Sequence, residues 1–168
     1  IKATFLGAHA YPEAYKQDHE GYLKLITDEM LPNIGKEGLA DYIDVFCENG
    51  FFSPGEMMKI CEAGFKYGLQ PKLHVNQLNS IGGIEAGIAL DAVSLDHLET
   101  LTPAEIDLLS GSMGAPSGKT WKGICTLLPT AAYFLRMQYQ PARKLIDAGS
   151  AVALASDFNP GSSPSGNM

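Results

Sequence analysis

Six short apolar runs, alternating with helix-like stretches, constrain this chain more than any other feature. They fall at 3–8, 42–47, 71–75, 92–95, 123–128 and 151–155. Runs of this length bounded by turn residues read as strands. Most of the gaps between them carry amphipathic patterns. Residues 13–31 place Tyr15, Tyr22, Leu23 and Ile26 at helical spacing. Ser53-Pro54 with Glu56, and Thr102-Pro103 with Glu105, each spell a capping box with proline at the first helical position. The helices they open run to near Gly68 and Gly111. A further helix, 141–148, stops at Gly149, a C-terminal glycine. The phrases EAGFKYGLQPKLHV and KLIDAGSAVALASD repeat one order: helix, glycine, short link, strand. Strands alternating with helices imply a parallel sheet, because each crossover returns the chain in the same direction. An open doubly wound sheet and a (β/α)8 barrel both satisfy this α/β pattern. No linker-like tract interrupts residues 1–168, which read as one domain or one continuous part of one.

Composition narrows the function. Twelve basic against 19 acidic residues give a net charge of −7. That argues against a nucleic-acid or anionic-membrane binder, whose affinity rests on clustered Lys and Arg. No apolar run approaches the roughly 18 residues of a membrane span. The three cysteines, 47, 61 and 125, are far apart and odd in number. This usage reads as a reduced, cytoplasmic chain rather than a disulfide scaffold. The chain opens on Ile1-Lys2-Ala3 without an initiator Met and stops after a loop-like stretch at Met168. It is therefore expected to be an internal piece of something longer.

In both architectures chemistry gathers at the carboxyl ends of the strands. The runs end in Ala8-His9, Cys47-Glu48-Asn49, His74-Val75-Asn76-Gln77, Asp96-His97, Leu128-Pro129-Thr130 and Ser156-Asp157-Phe158-Asn159. Three of the four histidines and an aspartate thus fall at strand ends. Neutral imidazoles and a carboxylate converging on one mouth suit a divalent transition metal such as zinc or iron. Such an ion makes water nucleophilic at neutral pH, and an Asp beside it can accept the proton. Taken singly, each of these histidines reads as a hydrogen-bonded structural residue. Taken together, His9, His74, His97 and Asp157 favour the metal. His19, within KQDHE, reads as a solvated helix residue, and Cys47 as a buried strand thiol. Glu48 reads equally as a base or as a strand-end polar contact. Met57-Met58 and Tyr133-Phe134 read as core.

A phosphate-loop likeness at Gly114–Thr120, GAPSGKT, is set aside. It is one residue short, and Met113 stands where glycine is needed. A helix precedes it and a strand follows, the reverse of the motif's context.

Longer phrases carry a resemblance. FLGAHA (5–10), GLADYIDVFCENGFFS (38–53), KLHVNQLNSIGG (72–83), AVSLDHLE (92–99), LLPTAAYFLR (127–136), PARKLIDAG (141–149) and ALASDFNPGSSP (153–164) resemble the imidazolonepropionases. These are metal-dependent members of the amidohydrolase superfamily that act in histidine degradation. The likeness spans nearly the whole chain. It implies a (β/α)8 TIM barrel of the metal-dependent hydrolase type, incomplete here, with the runs as barrel strands three to eight. It further implies His74 and Asp157 as metal ligands, and Asp157 and His97 as catalytic residues. His9, Gln77, Asn159, Gly161 and Ser162 are implied to bind substrate or product. The cofactor implied is one divalent metal ion, zinc or iron.

The implied reaction is hydrolysis of the cyclic amide 4-imidazolone-5-propanoate, a small molecule, to N-formimidoyl-L-glutamate. The implied parent is a cytoplasmic homodimer with no nucleic-acid or membrane partner. The family's first-strand H-x-H metal pair, and an Arg and a Tyr that bind substrate, are absent from these residues. The 168-residue piece is accordingly expected to be inactive alone. Many members carry Glu where this chain has Gln77, and an amide cannot take a proton at neutral pH. Three rival readings stand beside this one. They are another amidohydrolase (a deaminase or dihydroorotase-like enzyme), a non-enzymatic α/β binding domain, and a phosphate-binding barrel using the Gly114–Thr120 loop.

Overall fold

The computed structural model of the chain describes residues 1–111, 118 and 120–167. Six strands form one sheet: β1 (Thr4–Ala8), β2 (Tyr42–Cys47), β3 (Gln70–Val75), β4 (Ser94–His97), β5 (Ile124–Leu127) and β6 (Val152–Leu154). Every neighbouring pair is parallel, and the order is β1-β2-β3-β4-β5-β6. This order separates the two architectures left open by the strand pattern. A doubly wound sheet reverses direction across a switch point, whereas a barrel adds each new strand on the same side. The winding is that of a (β/α)8 barrel, with the six strands as an arc of it.

The helices follow the capping signals closely. Ser53 accepts from the Glu56 backbone N–H at 3.3 Å, and the Glu56 carboxylate accepts from the Ser53 N–H at 2.7 Å. The same reciprocal pair joins Thr102 and Glu105. These boxes open α3 (Pro54–Phe65) and α5 (Pro103–Leu109). The helix expected at 13–31 starts later and ends later. A single 3-10 turn occupies Glu13–Tyr15. Asp18 then caps α1 (His19–Lys24), its carboxylate accepting from the Gly21 N–H at 2.9 Å. A π-helical turn, Leu25–Met30, leads into α2 (Leu31–Glu37), which ends at Gly38 with φ of 64°. The wide turn lies immediately ahead of Pro32, which cannot donate to the helical ladder. The expected helix 141–148 is α7 (Ala142–Asp147).

Two helices lacked a clear sequence signal: α4 (Gly83–Ala89) and α6 (Pro129–Leu135). α4 is apolar and largely buried, so it shows no amphipathic stripe. Its glycines serve close approach to the sheet. A Cβ at Gly87 would lie 2.5 Å from Leu95 Cδ2, and one at Gly83 would lie 3.0 Å from Val75 Cγ1. β4 also begins and ends two residues later than its apolar run. Val93 instead donates from the loop to Pro71, and Asp96 and His97 are part of the strand.

The two faces of the sheet divide the side chains by the period of two. Ile43, Val45, Cys47, Leu73, Val75 and Leu95 are buried in the core with Met57, Ile60, Ile84 and Ile88 of the helices. Asp44, Phe46, Lys72, His74 and Asp96 point the other way, into a cleft of about 590 Å³. Among the described residues no helix is long and apolar enough to cross a membrane. The phosphate-loop likeness, apart from Gly118 and Thr120, lies outside the described residues, as does Met113.

Candidate metal centre

The cleft lies on the sheet face opposite the helices. Its lining includes His9, Asp44, His74, Gln77, His97, Asp157, Asn159 and Ser162. His9 follows β1, and aromatic packing holds its segment. Tyr22 Oη donates to the Gly7 carbonyl at 2.7 Å, while Tyr11 stacks on Phe52 with ring centroids 4.5 Å apart. Asp44 and His74 face each other on adjacent strands. Asp44 Oδ1 accepts from the His74 backbone N–H at 3.1 Å, and Asp44 Oδ2 lies 2.7 Å from His74 Nδ1. His9 Nε2 lies 3.5 Å from the same Oδ2. The His9 and His74 rings meet edge to face at 4.5 Å, and the His74 and His97 rings lie 4.9 Å apart.

One donor atom from each of His9, Asp44 and His74 falls within 4.8 Å of the others. His9 Nε2 and His74 Nδ1 are both buried, and neither makes a directed hydrogen bond among the described residues. Two imidazole nitrogens without hydrogen-bond partners among the described residues, grouped with a carboxylate oxygen, form the donor set a transition metal takes. These residues fit a divalent ion.

The charges agree with that fit. Burial disfavours the Asp44 carboxylate. The charge of the His74 imidazole and of the nearby His9 overcomes this and holds Asp44 down at about 2. Burial likewise works against the protonated His74 ring. Asp44 overcomes it, helped by Asp96 and Asp157, and raises His74 to about 9. The pocket is built to attract positive charge.

Asp44 was not among the residues singled out from the sequence. It lies inside the apolar run YIDVFC, three residues before the strand end. The available signal was a charged residue at an inward position of a buried strand, a costly placement without a partner.

Asp157 follows β6 and lines the same cleft as His74, with a left-handed φ of 51°. Its Oδ2 accepts from Ser162 Oγ at 3.1 Å. Asn159 organises this loop. Its Nδ2 donates to the Asp157 carbonyl and to Ser162 Oγ, both at 2.7 Å, and its Oδ1 accepts from the N–H groups of Gly161 and Ser162. Gly161 is exposed, does not line the cleft, and spends its N–H on Asn159. Gln77 lines the cleft just beyond β3. His97 ends β4, its Nδ1 lying 3.3 Å from Glu99 Oε1.

Other polar residues have settled roles. Glu48 is the strand-end contact: its carboxylate accepts from the backbone N–H groups of Asn49, Leu78 and Asn79 and from Asn79 Nδ2. Cys47 is buried, and desolvation beside Glu48 pushes its thiol up to about 12. His19 is exposed and stacks on Tyr11 at 3.7 Å.

The chain is 53% identical over all 168 residues to an imidazolonepropionase of Flavobacterium johnsoniae, spanning 39% of that protein. It is 44% identical over 164 residues to the imidazolonepropionase of Geobacillus thermodenitrificans, spanning 37% of its length. The chain thus spans about two-fifths of the length of the curated relatives it matches. No protein-family profile matches it. Among solved structures it resembles a guanine deaminase from C. acetobutylicum with bound guanine. The TM-score is 0.66 at 17% identity, covering 94% of this chain and 40% of that one. It also resembles an adenosine deaminase from Xanthomonas campestris with bound zinc, with a TM-score of 0.58 at 16% identity, covering 88% of this chain and 35% of that one. At these identities the likeness speaks for the fold alone.

Proposed function

The chain is a relative of the imidazolonepropionases along its full length, and on that premise we propose that it forms part of an enzyme hydrolysing 4-imidazolone-5-propanoate to N-formimidoyl-L-glutamate. The observation that carries this reading is that His9, Asp44, His74, His97 and Asp157 line one cleft in a chain with that kinship. Residues 1–168 belong, on this reading, to a single barrel domain.

His74 and Asp157, beside the Asp44 carboxylate, would hold a divalent ion, zinc or iron, which would supply Lewis acidity and make water nucleophilic near neutral pH. Asp157 accepts the proton of the attacking water and returns it to the departing ring nitrogen, so the C–N bond opens with no net proton change. His97 orients the water and the developing oxyanion. Gln77, an amide, holds the ring by hydrogen bonds and takes no proton. His9 and Ser162 bind the polar ring. Asn159 and Gly161 shape the loop that receives the product. The enzyme works in the cytoplasm as a homodimer, without nucleic-acid or membrane partners.

The test is an assay of the full-length protein with 4-imidazolone-5-propanoate alongside metal analysis. Turnover to N-formimidoyl-L-glutamate with close to one zinc or iron per chain is expected. No turnover after zinc and iron are each supplied, with no metal retained, removes the proposal. Turnover of a purine instead reassigns the cleft to a deaminase.

A further inference from the structure

Behind His97 lies a buried polar chain that the reaction does not itself use. Glu99 Oε1 lies 3.3 Å from His97 Nδ1 and accepts from Gln140 Nε2 at 2.6 Å. His97, Glu99 and Gln140 are all buried. Gln140 reaches Glu99 from the segment between α6 and α7, far along the chain. The arrangement is costly in two ways. His97 and Leu98 both take left-handed backbone, with φ of 83° and 64°, which folds Glu99 back beneath the ring. Glu99 Oε2 is buried with no hydrogen-bond partner among the described residues. An apolar trio of similar volume fills the same space without either cost.

We propose that Glu99 is a positioning residue: it fixes His97 as the Nδ1–H tautomer, and Gln140 anchors Glu99 for that task. A carboxylate only accepts hydrogen bonds, so the nitrogen facing it carries the hydrogen. Nε2, on the other side of the ring, is left with its lone pair for the cleft that His97 lines. A bound substrate or water then meets an acceptor of fixed direction. The kinetic part of this inference rests on the function proposed above. The tautomer does not.

The test uses the full-length, metal-loaded protein. Nitrogen-15 spectra of its histidines are expected to show the proton of His97 on Nδ1. Glu99→Met, which removes the acceptor, is expected to lower kcat about 10–100-fold while KM moves less than about threefold. Glu99→Gln keeps an acceptor oxygen in place and is expected to recover most of that loss and the Nδ1–H signal. A native His97 protonated on Nε2 overturns the inference, as does a folded Glu99→Met variant with kcat unchanged. If Glu99→Met does not fold, the native spectrum decides. Failure of the native protein to turn over the imidazolone sinks the reaction but leaves the spectral result standing.

Discussion

Nδ1 of His74 lies 2.7 Å from Oδ2 of Asp44, while Oδ1 of the same carboxylate accepts from the His74 backbone N–H at 3.1 Å. One oxygen fixes the strand register and the other faces His74 Nδ1. Asp44 therefore positions His74 and sets the negative charge around it. Asp44→Asn keeps the size and the contact to the backbone but removes that charge. It is expected to weaken zinc or iron affinity about 10–100-fold, read by metal titration of the purified protein. Retained affinity in a folded Asp44→Asn protein contradicts the role given to Asp44.

The same pair sets a pH dependence for the metal-free protein. His74 is raised from 6.5 to about 9, so its contribution is complete below 6.5 and is lost as pH rises through 9. Asp44 is lowered from 3.8 to about 2, so its contribution is complete above 3.8 and is lost as pH falls through 2. Both act fully between these ordinary values. Thermal melts of metal-stripped protein are expected to show the pair's stabilisation declining from pH 6.5 to 9. Asp44→Asn flattens that limb. A native curve as flat as the variant's contradicts the pairing.

Cys47, Cys61 and Cys125 are buried, and desolvation pushes each thiol up to about 12. Thiolate is the reactive form. Mass-resolved labelling at pH 8 is expected to leave all three unmodified in the native protein and to modify all three in denaturant. Rapid native labelling of any one of them contradicts its burial.

Much of this fold was legible because its signals are local. Ser53 with Glu56, and Thr102 with Glu105, announce helix starts through residues three apart, and both boxes form. Glycine stops and apolar runs are equally local. Strand order is not local: the same βα alternation serves an open sheet and a barrel, and only the consecutive pairing decides between them. α4 escaped notice because a helix buried on most sides has no polar face to betray its period. Asp44 is not legible at the strand ends, because it is a charge in mid-strand. Its purpose appears only when β3 brings His74 alongside.

Glu105 ties a helix cap to the strand end beside the site. Its Oε2 accepts from the Thr102 backbone N–H and hydroxyl, and its Oε1 accepts from Ser80 Oγ and Asn76 Nδ2. Asn76 has a φ of 54° and lies between His74 and Gln77. Glu105→Ala removes all four bonds and leaves Asn76 Nδ2 with its bond to the Thr100 carbonyl alone, at a cost of about 2–4 kcal/mol. Chemical denaturation is expected to show that loss. A change below about 0.5 kcal/mol, the scale of an ordinary surface substitution, contradicts the assignment.

Gln77 lines the cleft next to the strand that carries His74. An amide donates and accepts hydrogen bonds but takes no proton near neutral pH. On the function proposed above, its contribution is to hold the substrate equally before and at the transition state, which raises affinity without raising the chemical rate. Gln77→Ala is expected to raise KM about tenfold, the cost of roughly one hydrogen bond to a polar ring, with kcat changed less than about threefold. The proton acceptor proposed here is Asp157, so Asp157→Asn is expected to behave oppositely. Its kcat falls by about 10²–10⁴-fold, the usual loss of a general base. Steady-state kinetics on both variants separate the two roles. A Gln77→Ala protein that loses kcat as steeply as Asp157→Asn, at unchanged KM, places Gln77 in the chemical step and removes the division of labour drawn here.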